Sequence, residues 1–149
     1  MNSKATQALE AFQSGMNCAQ SVLLPYANDY KFDDNLAYQI SSGFGDGMGR
    51  LQKTCGAVSG AFMVLGIHNC KKYSNHQLQT ENNRILIQEF NRKFVLKHNY
   101  TNCNELIACN LNTEEGQAYA EKNNIKERIC EKCIIDAIEI VDSLINNFK

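Results

Sequence analysis

The sequence predicts an all-α protein, a single-domain helical bundle of about six or seven helices. Three observations carry this. Apolar residues recur at steps of three and four along most of the 149 residues, while runs alternating with period two are nearly absent. One proline, Pro25, leaves the long periodic stretches unbroken. No internal repeat or low-complexity linker divides the chain, which is long enough to bury one proper core.

The first helix is expected over 4–13, stopping near Ser14 and Gly15. Asn17 is a good N-cap for a second, whose Cys18, Val22 and Tyr26 lie at i, i+4 and i+8 and face inward. Asp33 or Asp34 caps a third helix, with Leu36, Ala37 and Ile40 as its inward residues. A fourth follows Cys55 as far as Ile67 and gives way to a polar turn over 68–76. A long fifth helix through 79–98 carries Leu86, Phe90 and Phe94 at successive i+4 steps. Asn102 and Glu105 have the spacing of a capping box, which puts Cys103 at the first helical position of a short sixth. The last and most periodic helix, 127–148, has Cys130, Cys133, Ala137, Val141, Leu144 and Phe148 on one stripe.

Hydrophobic residues make up 44% and charged residues 21%, with a formal net charge of −1. This composition describes an ordinary globular chain and argues against a polybasic surface for nucleic acid or membranes. The longest apolar run, "AVSGAFMVLGI", is roughly half of what a bilayer-spanning helix needs. The N-terminal segment has no basic region followed by an apolar one, so the expected location is the cytoplasm.

Seven cysteines stand out: Cys18, Cys55, Cys70, Cys103, Cys109, Cys130 and Cys133. In a reducing compartment such richness points to metal binding or thiol redox chemistry, and the plainer alternative is a set of small core residues. Cys18, Cys55 and Cys103 fall at expected helix starts, where free N–H groups and the helix dipole favour a thiolate. Arg50 and Lys53 add positive charge near Cys55. Cys130 and Cys133 are the only pair at C-x-x-C spacing; on a helix they share a face and can ligate one metal or close a disulfide. Cys70 and Cys109 give weaker signals, as does His68 beside Cys70, and nothing is assigned to His76 or His98.

The stretch 43–66, "GFGDGMGRLQKTCGAVSGAFMVLG", has glycines at four alternate positions. It matches neither G-x-G-x-x-G after a strand nor G-x-x-x-x-G-K-[ST], so a phosphate cradle is not expected. Its glycines are expected to let the backbone fold tightly and to present Cys55 at a helix N-terminus. Gly56 and Gly60, with Ala57, Ser59 and Ala61, make a small-residue face suited to close helix packing, including packing in a homodimer.

Taken in order, "NCAQSVL", "CGAVSGAFMVLG", "CNEL" and "CEKCIIDAIEIV" resemble the C_GCAxxG_C_C family of redox-active proteins, over nearly the whole chain. The resemblance implies redox or electron transfer through cysteines or a cysteine-bound centre, with an unidentified redox partner protein. By position it carries the family cysteines onto Cys18, Cys55, Cys103 and Cys130, with Cys133 as an extra thiol near the last. The family label reads Gly-Cys-Ala-x-x-Gly, whereas this chain has Cys55-Gly56-Ala57-Val58-Ser59-Gly60, with the first two residues exchanged.

Two versions of a redox protein follow. In one, Cys18, Cys55, Cys103, Cys130 and Cys133 form a thiol–disulfide relay. In the other, Cys18, Cys55, Cys103 and Cys130 ligate zinc or an iron–sulfur cluster. The reading from another class is a helical interaction module with structural buried cysteines. No Ser/His/Asp arrangement, H-E-x-x-H motif or nucleotide loop supports a common enzyme class.

Overall fold

A computed structural model describes residues 1–147 of the chain, so Phe148 lies outside the described residues. The fold is an all-α single-domain bundle, as the sequence predicts. Among the described residues, eight helices have five residues or more: α1 (Ser3–Gln13), α2 (Cys18–Leu23), α4 (Asp34–Ser41), α6 (Gly56–Lys72), α7 (His76–His98), α8 (Cys103–Ile107), α9 (Glu114–Lys122) and α10 (Glu131–Asn147). Two more, α3 (Ala27–Tyr30) and α5 (Gly45–Met48), are single turns, the second passing through left-handed backbone at Asp46 and Gly47.

The caps explain the boundaries. Asn2 accepts a hydrogen bond from Ala5 N–H to open α1. At α2, Asn17 accepts from Gln20 N–H at 2.9 Å while the Gln20 side chain accepts from Asn17 N–H, a reciprocal capping box. Asp33 caps α4 and Asn75 caps α7.

Helix α6 is the centre of the bundle and packs against α2, α7 and α10. Its first six residues, from Gly56 to Ala61, are all buried. A Cβ on Gly60 would stand 2.8 Å from Ala19 O and 3.1 Å from Val22 Cβ, and one on Gly56 would stand 2.9 Å from Cys18 Cβ. Glycine at both positions is what allows α2 to lie directly on α6. The small-residue face is therefore filled by α2 of the same chain, and the expectation that it joins two copies is corrected: it is not a free surface. The rest of the core comes from Phe90 and Phe94 of α7 and Ile134, Ala137, Ile138, Val141 and Leu144 of α10.

Other expectations are also corrected. Leu36 and Ile40 are 54% and 56% exposed, because α4 meets α2 along a narrow line through Ala37 and Ser41. Helix α6 continues to Lys72, and Lys71 and Lys72 in its last turn suit the negative end of the dipole. Helix α9 was not expected from the sequence; Thr113 opens it by accepting from Gly116 N–H at 3.0 Å. The last helix is interrupted: 126–130 form a π-helical turn before α10 begins. No helix among the described residues is long and apolar enough to cross a membrane.

Candidate functional site: a cavity lined by five thiols

The site begins in the glycine-rich loop. Asp46, Gly47, Met48, Gly49 and Arg50 all have positive φ, between 52° and 68°, and so does Gln52 at 55°. A left-handed run of this kind costs about 1–2 kcal/mol at each non-glycine residue, so it persists only where the surroundings impose it. Here they do. A Cβ on Gly47 would lie 2.6 Å from Gln52 Cα and Lys53 N, so the turn closes onto its own exit strand. Buried Gln52 donates to Cys109 O and accepts from Leu111 N–H, both at 2.8 Å, which ties the loop to the segment after α8.

That exit strand then pairs with the entry to α8. Thr54 and Asn102 form an isolated antiparallel bridge, Cys55 N–H donates to Thr101 O at 2.8 Å, and Cys103 N–H donates to Lys53 O. The pairing takes the amides of Cys103 and Asn104, and the Glu105 amide donates to Asn104 Oδ1 rather than to Asn102. Asn102 makes no side-chain cap and donates instead to Glu105 Oε1 at 3.3 Å, so the capping-box expectation at α8 is corrected. The consequence for the site is that two cysteine-bearing helix starts, at Cys55 and Cys103, are pinned side by side.

Three of the cysteines stand at helix starts, as the sequence predicts: Cys18 opens α2, Cys55 is the N-cap of α6, and Cys103 opens α8. Cys130 ends the π-helical turn, and Cys133 follows one turn into α10 with 1% exposure. All five line one cavity of about 230 Å³, together with Asp46, Arg50 and apolar residues including Leu106 and Ile129. Cys70 is exposed on the far part of α6, and Cys109 borders the site without lining it.

The thiols interact in pairs across helices. Cys130 is the neighbour that most raises the pKa of Cys18, and Cys55 and Cys133 shift one another. The C-x-x-C spacing thus distributes its two thiols between two partners, one on α2 and one at the head of α6. All seven cysteines are free thiols.

The electrostatics differ sharply within the cavity. The Cys55 pKa is lowered, first by the neighbouring Cys133 and then by the amides of Ala57 and Val58, which outweigh its burial. Those amides point at the sulfur from the open first turn of α6 without completing a full capping bond. Cys133 is raised well above its ordinary value by the neighbouring Cys55 and by burial. Cys18 is raised by the neighbouring Cys130 and by burial, and burial pushes Cys103 up to about 12. Of the three helix-start cysteines, Cys55 alone has its pKa lowered. At Cys18 and Cys103, desolvation and neighbouring sulfurs outweigh the helix dipole. Arg50 lines the cavity but pairs with Asp46 at 3.5 Å, and Lys53 does not line it; neither sets the Cys55 shift.

The zinc or cluster version of the site asks for a converging set of ligands. Among the described residues, no group of three or more His, Cys, Asp or Glu side chains is arranged to hold a metal ion. The pairwise arrangement does not fit that version.

Residues 16–144 match the family described as "Putative redox-active protein (C_GCAxxG_C_C)". The chain belongs to this family. No curated protein and no solved structure matches it.

In this C_GCAxxG_C_C protein the exchanged order of Cys55 and Gly56 has a clear local result. Cys55, at φ −52° and ψ 135°, sits just outside the helix, where its sulfur faces the first turn. Gly56 takes the first helical position, where the Cβ of Cys18 leaves no room for a side chain. The sulfur is thereby offered the amides of α6 rather than being carried around its surface.

One residue at the site escaped the sequence reading. His98 Nδ1 lies 3.9 Å from Cys133 Sγ, and its Nε2 lies 2.8 Å from Asp136 Oδ2. The signal was present: His98 continues the stripe of Leu86, Phe90 and Phe94 by one more step of four, and its ring packs against Phe94 at 4.5 Å. The polar neighbours Lys97 and Asn99 obscured it.

These shifts give a first prediction. A thiolate persists above its pKa, so a lowered Cys55 stays reactive to lower pH than an ordinary thiol. Alkylation of Cys55 by a small reagent, followed by peptide mass spectrometry, should have a midpoint below that of an ordinary thiol. Cys133→Ala removes the neighbour that most lowers it and should raise the Cys55 midpoint by about one unit, the scale of one hydrogen bond to a charged group. An unmoved midpoint would show that Cys133 does not support the thiolate.

Proposed function

We propose that this protein exchanges thiols for disulfides through two dithiol pairs, Cys55 with Cys133 and Cys18 with Cys130. The observation that carries the reading is the pairing itself: a thiol of lowered pKa beside one of raised pKa, with a second neighbouring pair lining the same cavity. Family membership supports a redox role in general.

Cys55 is the attacking sulfur and Cys133 the resolving one. The Cys55 thiolate attacks one sulfur of a disulfide R–S–S–R′, and R′–S⁻ leaves and takes a proton from solvent. A mixed disulfide, Cys55–S–S–R, remains. Cys133 then loses its proton and attacks the Cys55 sulfur, releasing R–S⁻, which is protonated in turn. The substrate disulfide gains two electrons and two protons, and the protein ends with a Cys55–Cys133 bond. Cys18 and Cys130 form the second pair by the same balance. Cys130, half-buried where Cys18 is nearly enclosed, is the thiol nearest to a partner. The fitting partner is a disulfide-bearing protein or small disulfide in a reducing compartment such as the cytoplasm.

Equilibration with glutathione redox couples under anaerobic conditions tests the reading. The seven free thiols should fall to three as the buffer becomes more oxidising, with no disulfide between chains on a non-reducing gel. If only Cys70 is oxidised, or if oxidation proceeds through bonds between chains, the proposal fails.

A further inference from the structure

The resolving step needs a destination for the Cys133 proton. Cys133 is 1% exposed, so solvent does not reach it readily. In the resting site Cys55 is the neighbour that most affects the Cys133 thiol. Once Cys55 is tied into a mixed disulfide, its negative charge is gone and it can no longer take the proton. The remaining acceptor against the Cys133 sulfur is His98 Nδ1, 3.9 Å away.

The other contacts of His98 fix it for that role. Nε2 faces Asp136 Oδ2 at 2.8 Å, a carboxylate that accepts and never donates when ionised, so the ring proton sits on Nε2 and the Nδ1 lone pair is left facing sulfur. The Phe94 ring holds the imidazole from one side. Asp136 and Cys133 lie three residues apart on α10, so one helix positions both the proton donor and the group that orients its acceptor. The charged and titratable groups facing the ring are Asp136 and Cys133 from α10, Cys55 at the head of α6 beyond Cys133, and Lys97 of its own helix, whose Nζ approaches Asp136 Oδ1 at 3.5 Å. A positive imidazole formed during the step is stabilised by the Asp136 carboxylate.

We infer that His98, held by Asp136, is the general base that takes the Cys133 proton when Cys133 resolves the mixed disulfide on Cys55. The inference rests on the thiol–disulfide reading above. The proton passes from Cys133 Sγ to His98 Nδ1, the sulfur electron pair forms the bond to Cys55, and the bond from Cys55 to the substrate sulfur breaks. His98 returns its proton to the departing thiolate or to solvent, so the histidine is unchanged over the cycle.

The test uses 4,4′-dithiodipyridine, a small chromogenic disulfide, on the full chain with Cys70, Cys109 and Cys130 replaced by serine. Attack releases one thiopyridone and resolution releases a second, so the two steps are read as two phases. His98→Gln should leave the first phase within twofold and slow the second by about a hundredfold, the lower range for a lost general base. The slowed phase should then rise about tenfold per pH unit, as Cys133 must ionise unaided. Asp136→Asn, which keeps the imidazole, should slow the second phase by about tenfold, the lower end for a lost orienting partner, and covers the case in which His98→Gln does not fold. A second phase unchanged in both variants, or both phases slowed alike, overturns the role of His98. A first phase that survives Cys55→Ser overturns the underlying exchange reading as well.

Discussion

Cys55→Ser is expected to slow reaction of the cavity with a small disulfide by about thirtyfold or more, with the fold intact. In a chain already lacking Cys70, Cys109 and Cys130, the remaining thiols are Cys18, Cys103 and Cys133, and all three are raised above the ordinary thiol value. Cys103 is pushed up to about 12 while Cys55 is lowered, so at neutral pH Cys55 holds far more thiolate. The greater nucleophilicity of a more basic thiolate recovers only part of that gap, because it rises less than in proportion to basicity. Serine differs from cysteine by one atom, so packing at the head of α6 changes little. The rate of thiopyridone release measures the effect, and a rate within threefold of the parent chain would show that Cys55 is not the entry point.

The largest effect on stability is expected for Gly60→Val. The site of its Cβ is already 2.8 Å from the carbonyl oxygen of Ala19 and 3.1 Å from the Cβ of Val22. The first of these is backbone and cannot rotate away, so α2 must move off α6. Overpacking of this kind costs about 3 kcal/mol, the upper part of its usual range, and should appear as a lower midpoint in urea denaturation with an unchanged slope. The chemistry should change asymmetrically. Helix α2 carries Cys18, whereas Cys55 and Cys133 belong to α6 and α10. Formation of the Cys18–Cys130 bond should therefore slow more than formation of the Cys55–Cys133 bond. A stability loss below about 0.5 kcal/mol, the range of neutral surface changes, would mean that the α2–α6 contact is looser than described.

The fold was legible in the sequence because its main signals are local. Asn17, Asp33 and the i+4 stripe of Leu86, Phe90 and Phe94 each act within one or two turns, and all appear as expected. Local signals failed where tertiary geometry decides. Leu36 and Ile40 have a helical period but face a shallow apolar groove beside Met63 and Ile67, because α4 approaches α2 through Ala37 and Ser41. Asn102 and Glu105 have capping spacing, yet the Glu105 amide is taken by the side chain of Asn104 and the Asn102 side chain turns to the Glu105 carboxylate.

At the site, the sequence placed Cys18, Cys55 and Cys103 at helix starts and Cys130 and Cys133 on one helical face, and all five line one cavity. Their pairing was not legible, because C-x-x-C spacing suggests a bond within one helix. The π-helical turn at 126–130 and the separate positions of α2 and α6 give each thiol a different neighbour. The divergent titration of Cys18, Cys55 and Cys103 was likewise hidden. All three share a helix start, and burial and neighbouring thiols, which are set by the whole fold, separate them.

The central claim is the pairing of Cys55 with Cys133 and of Cys18 with Cys130. The most direct measurement is disulfide mapping by mass spectrometry after the reduced protein is oxidised with two equivalents of a small disulfide, with free thiols alkylated before digestion. The account predicts Cys55–Cys133 and Cys18–Cys130 linkages in one chain, with Cys70, Cys103 and Cys109 recovered alkylated. A dominant Cys130–Cys133 linkage, or five cavity thiols recovered unoxidised from folded protein, would contradict it.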